Sequence, residues 1–470
     1  MSLPSRSQLT DADLARLESL LGPEAVRWDA ASRERYGRDE TEDFFFPPEV
    51  VVLPASTDEV AAVLRLASER RLPVTPRGAG TGLSGGALPV AGGILLSVER
   101  LNRIREVSVA DQLAVAETGV VTGELQRRVE EQGLFYPPDP ASRDTCLLAG
   151  NLAEDSAGPR SLKYGTTRAW VLGLEAVLAD GTVVHAGGRT RKNAAGYSLT
   201  QLLVGSEGTL AVLTAATLRL TARPRATLTL LVPFPELEQA AAAVSGVLAA
   251  GLDPAACELV EEGALAAVGA VEPLPPALVG RAAFLLFELH GDGEDELLAR
   301  AERLAEVTSA LGGEEPMVAL DAAEERRLWA LRRKVGEAVK HRSVYKEVDA
   351  VVPRSKLAPL VRAARAAAAR HGLEAICYGH AGDGNLHVNL LRGRCDPGEW
   401  QARRDAAEGE LLREVVALGG TITGEHGVGW TQRRHLPTAL DPATLALMRQ
   451  LKATFDPLGI LNPGKVFPEG

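Results

Sequence analysis

Residues 76–93 read PRGAGTGLSGGALPVAGG. The stretch GTGLSG at 80–85 matches the dinucleotide pattern GxGxxG, and Glu99 follows Gly80 at about the distance of a ribose-binding acid. A Rossmann site needs more: a helix must start at the loop, so that its N-terminus faces the pyrophosphate. Here Pro89, Gly92 and Gly93 follow, and they forbid a stable helix. Glycines 78, 80, 82, 85 and 86 instead make a long backbone nest, whose N–H groups suit a diphosphate without a helix. The bland alternative is a surface loop with no ligand. Either way, a nucleotide fold built on this loop is not Rossmann.

The chain has 470 residues, 46% apolar and 24% charged, and a formal net charge of -11. That length predicts two domains, or one with an inserted cap. The charge argues against nucleic-acid binding and leaves room for a small anionic substrate. MSLPSRSQLTDADL has no charged stretch leading into an apolar one, so no secretory signal is expected. No uncharged apolar run is long enough for a membrane helix. Cys146, Cys257, Cys377 and Cys395 are scattered without a CxxC pair, which fits free thiols in a reducing compartment and excludes a cysteine-held iron–sulfur cluster. The expected location is cytoplasmic, with any membrane contact peripheral and through a partner.

Helices are predicted over 11–21 and 58–71, the second flanked by VVVLP and LPVTPRG as one βαβ unit. ILLSV and LAVAETG read as strands, VTGELQRRVEEQG as a helix, VLGLEAVLADGTVV as a hairpin turning at Asp180-Gly181, and TLAVLTAATLRL as two strands. Near 222–227 the character changes. Strands then alternate with helices over 236–250, 293–311, 355–371 and 398–418, which predicts an antiparallel sheet with helices on one face. A last helix is expected near 441–455. The C-terminal stretch is again rich in Gly, Pro and His. The expected domains are 1–222, an inserted 223–418, and a return to the first domain over 419–470.

Three further stretches are long and irregular: 137–165, 192–210 (with Gly205, Ser206, Glu207 and Gly208) and LNPGK at 461–465. Loops of that length are functional or disordered, and these hold too many apolar residues for disorder. A fourth, GHAGDGNLH at 379–387, sets His380 and His387 either side of a turn. On one straight strand they would face opposite sides; the GDGN turn lets both rings aim at one point. With Glu425 they make a two-His, one-carboxylate set suited to Zn²⁺, and less well to Mn²⁺ or Fe²⁺. Asp383 is a candidate to orient one ring. The alternative is two satisfied histidines in a tight hairpin.

PRGAGTGLSGG, PPDP…GNLAEDSAGPRSLKYG, GYSLTQLLVGSEGTL, GHAGDGNLH, TGEHGVG and ILNPGK occur in the order of a known family. From about residue 40 to 468 the chain resembles FAD-linked D-2-hydroxyacid dehydrogenases, the flavin subunit of glycolate oxidase and D-lactate dehydrogenases among them. The resemblance implies a vanillyl-alcohol-oxidase-type α+β fold. A two-subdomain FAD-binding module would carry an inserted ferredoxin-like cap with an antiparallel sheet. It implies that Pro76, Arg77, Gly78, Ala79, Gly80, Thr81 and Gly82, with Ser84, Gly85 and Gly86, hold the diphosphate. Pro138, Asp139, Gly150, Asn151, Ser156, Gly158 and Tyr164 would form a second FAD segment, Glu207, Gly208 and Leu210 a third, and Asn462 would reach the flavin from the C-terminus. No histidine lies between 76 and 90, so the FAD is expected to be non-covalent. Relatives commonly read GGN-x-A-x-NAGG where this chain has AGNLAEDSAGP. Asp155 there would weaken FAD binding if it faced the phosphates.

The same resemblance favours His380, His387 and Glu425 as metal ligands and gives His426 the role of general base. A metal-bound hydroxyl would lose its proton to His426 while the α-hydrogen leaves as hydride to flavin N5. Arg332, three residues after Trp329, would hold the substrate carboxylate in a bidentate fork, with Lys346 as second cation and Asn389 as a polar contact. Plainer alternatives are a solvated helix face for Arg332 in RRLWALRRK and an ordinary strand lysine for Lys346. His290, His341, His371 and His435 read as structural or surface, Tyr197 as packing, and Trp329 as core. Glycolate, D-lactate and D-2-hydroxyglutarate all remain possible substrates. Electrons would leave for a quinone, cytochrome, flavoprotein or iron–sulfur subunit, in a homodimer or hetero-oligomer. Two rivals stand beside this reading: a redox-neutral flavin transferase of the alkylglycerone-phosphate synthase type, and a non-catalytic FAD-binding subunit of an electron-transfer complex.

Overall fold

The computed structural model describes residues 8–41 and 44–468; the first half of the N-terminal stretch read for a signal, residues 1–7, lies outside them. The chain forms two compact units. One comprises 1–158, 165–223 and 425–470, the other 159–164 and 224–424.

The first unit opens with the capped helix Asp11–Leu21, its N-cap Thr10 accepting from the Asp13 N–H while the Asp13 carboxylate reaches back. The strand Val50–Val52, the helix Thr57–Arg70 and the strand Val74–Arg77 form the expected βαβ unit. Ser56 caps that helix, and Val60, Val63, Leu64 and Ala67 make its buried stripe. The strand Ile94–Ser97 inserts between the other two, parallel to both. Val26–Arg27 completes this sheet antiparallel to Val50–Val52. A second, antiparallel sheet runs Ile104–Ser108, Leu113–Glu117, Val212–Arg219, Val171–Val177, Val183–Gly187. Its last hairpin turns at Asp180-Gly181 as expected, with Asp180 Oδ1 accepting the Thr182 N–H at 2.8 Å and Gly181 at φ +82°. The run 209–220, expected to give two strands, gives the single strand Val212–Arg219, since no turn residue interrupts TAAT.

The second unit is a seven-stranded antiparallel sheet in the order Met317–Val318, Ala226–Phe234, Ala283–Gly291, Ala256–Glu261, Glu374–Gly379, Asn385–Leu391, Tyr345–Val351. The sequence predicted helices on one face only; the structure corrects this. Ala283–His290 is buried at every position, so both faces of the sheet are covered. On one face, the helices Glu262–Gly269 and Ala322–Arg342 pack on Val260, Phe284, Leu286, Ile376, Tyr378 and Leu391. The helices Leu237–Ala249, Glu294–Ala310, Leu357–Arg370 and Trp400–Ala417 also belong to this unit. The unit extends past the expected return at 419, because Thr421 pairs with Val351 and Gly424 donates to Asp349. It also takes in Ser161–Tyr164, a short helix inside the stretch read as irregular. Among the described residues no helix is long and apolar enough to cross a membrane.

Candidate active site

In the first unit, the strand Val74–Arg77 delivers the glycine-rich loop, and the chain beyond it is irregular, as the glycines and Pro89 require. Arg77 is buried, its Nη1 donating to Tyr36 O at 3.4 Å; burial pulls its guanidinium below the ordinary value, with Asp39 opposing. Gly80 sits at φ +81°, where a side chain would collide with that guanidinium. A Cβ at Gly78 would stand 3.3 Å from Gly150 N, so this loop abuts the start of the helix Leu148–Glu154. The backbones at Gly82 and Gly150 both border open space. Glycine backbone bordering open space suits a diphosphate-containing cofactor.

Around this loop the structure assembles groups whose pairing sequence reasoning missed. Glu207, at φ +52°, accepts the N–H of Val428 at 3.0 Å and of Gly429 at 2.6 Å. Trp430 and Thr431 donate their N–H groups to Ser84 O at 2.9 and 3.0 Å. Asn462 donates to Gly86 O at 3.0 Å and Glu207 O at 2.8 Å. Lys465 Nζ reaches Gly86 O, Leu88 O and Asn462 Oδ1. Burial pushes Lys465 down to about 7, against the pull of Asp39, Glu207 and Glu154. Burial, and then the charge of Glu207, pushes Glu154 well up. His426, whose Nε2 lies 3.9 Å from Glu425 Oε1, directly precedes the 427–431 turn fastened to this loop.

The other expected cofactor residues divide. Asn151 donates to Ser156 Oγ at 3.0 Å, and Pro138 O accepts from Gln126 at 2.8 Å. A Cβ at Gly158 would strike Asp139 O, so those two backbones touch. Gly208 lies against Pro76, and Leu210 is buried. Asp155 faces Arg168, accepting from its backbone N at 2.7 Å and its Nε at 2.9 Å, so its charge is matched by a neighbouring cation. Tyr164 belongs to the second unit, its hydroxyl 2.7 Å from His290 Nδ1. His290 is buried in a structural cluster: its Nε2 lies 2.6 Å from Glu288, which also takes Arg160 Nε at 2.7 Å. Tyr197, expected to pack, is 97% exposed.

In the second unit, strand alternation sorts the candidates. Tyr378 is registered with His387, Ile376 and Glu347 with Asn389, and Asp349 with His387. These side chains share the sheet face that carries Glu258 and Val260. His387 and His380 are buried, their ring centroids 5.3 Å apart at 84°. His380 Nδ1 lies 2.7 Å from Glu258 Oε1, and Arg332 Nε and Nη2 each lie 2.8 Å from Glu258 Oε2. The Arg332 guanidinium also lies 5.0 Å from the centre of the Tyr378 ring. Burial opposes ionisation of Glu258, but His380 and Arg332 outweigh it and hold its carboxyl down to about 2. The carboxylate on this imidazole is thus Glu258, which no local motif marked. Asn389 is fully buried, and neither atom of its amide meets hydrogen-bond geometry. Asp349 accepts from Asn385, from Thr423 Oγ1 and from Gly424 N, fixing the chain just before Glu425.

Lys346 requires a correction. It is registered with Leu390, one residue out of phase with Glu347 and Asn389, so it points to the opposite sheet face. There its Nζ lies 3.9 Å from Glu408 of the helix Trp400–Ala417. Alternation along the strand puts Glu347 beside His387 instead, at 3.6 Å.

Two imidazoles on one buried face, one oriented by a carboxylate, make a donor set that fits a divalent metal. Arg332, held on the same carboxylate, is a fork for an anionic group.

Comparison with known proteins gives consistent matches. A family model described as the FAD linked oxidases, C-terminal domain, matches residues 223–466, and one described as an FAD binding domain matches 48–187. The glycolate oxidase subunit GlcD of Bacillus subtilis is 38% identical over 96% of each chain. A D-lactate dehydrogenase of Archaeoglobus fulgidus is 40% identical over 92% of this chain and 95% of its own. Among solved structures, p-cresol methylhydroxylase with substrate bound superposes with a TM-score of 0.80 over 98% of both chains at 18% identity, a likeness of fold.

Proposed function

The chain belongs to the FAD-linked oxidases and is an FAD-dependent oxidoreductase, and on that premise we propose that it oxidises a small D-2-hydroxy acid, glycolate or D-lactate, to the 2-oxo acid. One observation carries the reading: Glu258 joins Arg332, a carboxylate fork, to His380, on the sheet face that also holds His387 and Asn389. A 2-hydroxy acid presents a carboxylate and an adjacent hydroxyl, which is what a fork beside imidazoles would recognise. The names of the two relatives, for glycolate and for D-lactate, support the same class.

Arg332 binds the substrate carboxylate, and the amide of Asn389 offers a donor and an acceptor to the oxygens beside it. FAD, bound non-covalently along 76–86 and 147–151, supplies the hydride acceptor. A divalent metal, Zn²⁺ first, supplies a Lewis acid that eases loss of the hydroxyl proton, with His380, His387 and Glu425 as its proposed ligands. His426 takes that proton as general base; its neighbours in sequence, the 427–431 turn, are fastened to Ser84 of the flavin loop. Burial of His380, His387 and Asn389 keeps water from competing for these groups. An acceptor outside the chain completes the cycle: a quinone, cytochrome, flavoprotein or iron–sulfur subunit, in a homodimer or a hetero-oligomer. A cytoplasmic location is part of the same reading.

The test is anaerobic titration of the flavin spectrum with glycolate, D-lactate, L-lactate and D-2-hydroxyglutarate. Bleaching by glycolate or D-lactate, and not by L-lactate, is expected. A yellow protein that none of the four bleaches would overturn the oxidation of these acids and favour the transferase or a different hydroxy acid.

A further inference from the structure

We propose that Glu258 is a positioning residue of the substrate site, its two oxygens setting the orientation of a metal-binding imidazole and of the carboxylate-binding arginine together. The proposal rests on the function given above and goes beyond it in making one side chain responsible for both halves of the site. Glu258 stands in the strand Ala256–Glu261 and is fully buried. Its Oε1 lies 2.7 Å from His380 Nδ1. An ionised carboxylate only accepts hydrogen bonds, so a proton sits on Nδ1, and in the neutral ring the lone pair is then on Nε2. That is the tautomer a metal needs from the far side of the ring.

The other oxygen, Oε2, takes both Nε and Nη2 of Arg332 at 2.8 Å. With the guanidinium also over the Tyr378 ring, its plane and its direction are both set. The Nη1 side is then the edge that can meet a substrate carboxylate. A buried counter-charge serving the fold alone would need only to neutralise one cation. Glu258 instead spends a separate oxygen on each of two groups, one from the helix Ala322–Arg342 and one from the turn after Glu374–Gly379.

Glu258→Gln separates these roles. Its single carbonyl oxygen can serve Arg332 or His380 but not both. If it stays with Arg332, the amide N–H₂ faces Nδ1 and drives the proton to Nε2. The measurements are Zn²⁺ affinity of the chelator-treated, FAD-loaded protein, KM for whichever hydroxy acid bleaches the wild type, flavin content, and thermal stability. In Glu258→Gln we expect Zn²⁺ affinity to fall about 10–100-fold, the range found for other partners of metal-bound histidines. KM should rise, and flavin content should stay at the wild-type value. If the variant fails to fold, Glu258→Asp, which keeps the charge but withdraws it by one methylene, carries the same test. Wild-type Zn²⁺ affinity and KM in the variant, whatever its thermal stability, while His380→Ala loses Zn²⁺, would overturn the proposal and leave the functional reading standing. A wild-type protein that takes up no Zn²⁺ would instead overturn the metal reading and the His380 half with it, and the KM of Glu258→Gln would then decide the Arg332 half.

Discussion

Glu207 accepts the backbone N–H of Gly429 at 2.6 Å, across 222 residues of sequence. The same carboxylate takes the N–H of Val428, and the turn it holds runs on to Trp430 and Thr431, both bonded to Ser84 O in the glycine-rich loop. Gly429 is at φ +48°, and a Cβ there would fall 2.3 Å from Ser84 O. Backbone cannot yield as a flexible side chain can. Gly429→Ala should therefore purify with a reduced flavin-to-protein absorbance ratio. Glu207→Ala strands two buried donors, at about 1–3 kcal/mol each, and should lower the urea midpoint as well. Wild-type flavin content in both variants would show that this turn does not shape the cofactor loop.

His426 follows Glu425 and precedes that turn. His426→Ala should keep its flavin and lose about 10²–10⁴-fold in the anaerobic rate of flavin reduction, the usual cost of removing a general base. Stopped-flow absorbance reads this directly. Reduction at the wild-type rate would mean the proton leaves by another group.

Lys346 faces Glu408 on the sheet side opposite His387 and Asn389. Lys346→Ala should accordingly leave KM for the hydroxy acid unchanged, while Asn389→Ala raises it. Steady-state kinetics on the two variants decides between the register seen here and the sequence-based role for Lys346, which would require a raised KM.

Glu288 is buried and paired with Arg160 and His290; burial alone would raise its pKa, but these partners hold it down to about 2, against 4.5 for a free glutamate. The folded state thus binds the proton more weakly than the unfolded chain. The stability it contributes is complete above about pH 4.5 and is lost as pH falls towards 2. Below pH 4.5 the thermal midpoint should fall less steeply with pH in Glu288→Gln than in the wild type, because that variant has no such proton to take up. Parallel pH profiles would show that Glu288 is not a source of the acid sensitivity.

Much of the first unit could be read locally. The Asp180-Gly181 turn, the helix Thr57–Arg70 between its strands, and the failure of 85–93 to form a helix all follow from dihedral preference and periodicity within a few residues. The pairing of His380 with His387 was legible for the same reason, a short turn between two strand ends. The seven-residue helix Leu148–Glu154 was hidden because its residues, LAGNLAE, have no side-chain cap and too little length to show a period. Lys346 was misassigned for a different reason. Alternation says that residues 346 and 347 face opposite sides, but only the register Glu347↔Asn389 says which of them faces His387.

By itself the sequence determined the chemistry available: a glycine nest that cannot start a helix, two histidines about a turn, an arginine on a helix, and a family order of motifs. Only the tertiary structure decided which groups meet. The strand Ala256–Glu261 lies between Ala283–Gly291 and Glu374–Gly379, and that strand order brings Glu258 to His380 across 122 residues and to Arg332 across 74. The physical reason is that periodicity is a property of neighbours along the chain. Strand order and register are set instead by which buried faces fit together once both sides of the sheet are covered, and nothing in the residues around Glu258 carries that information.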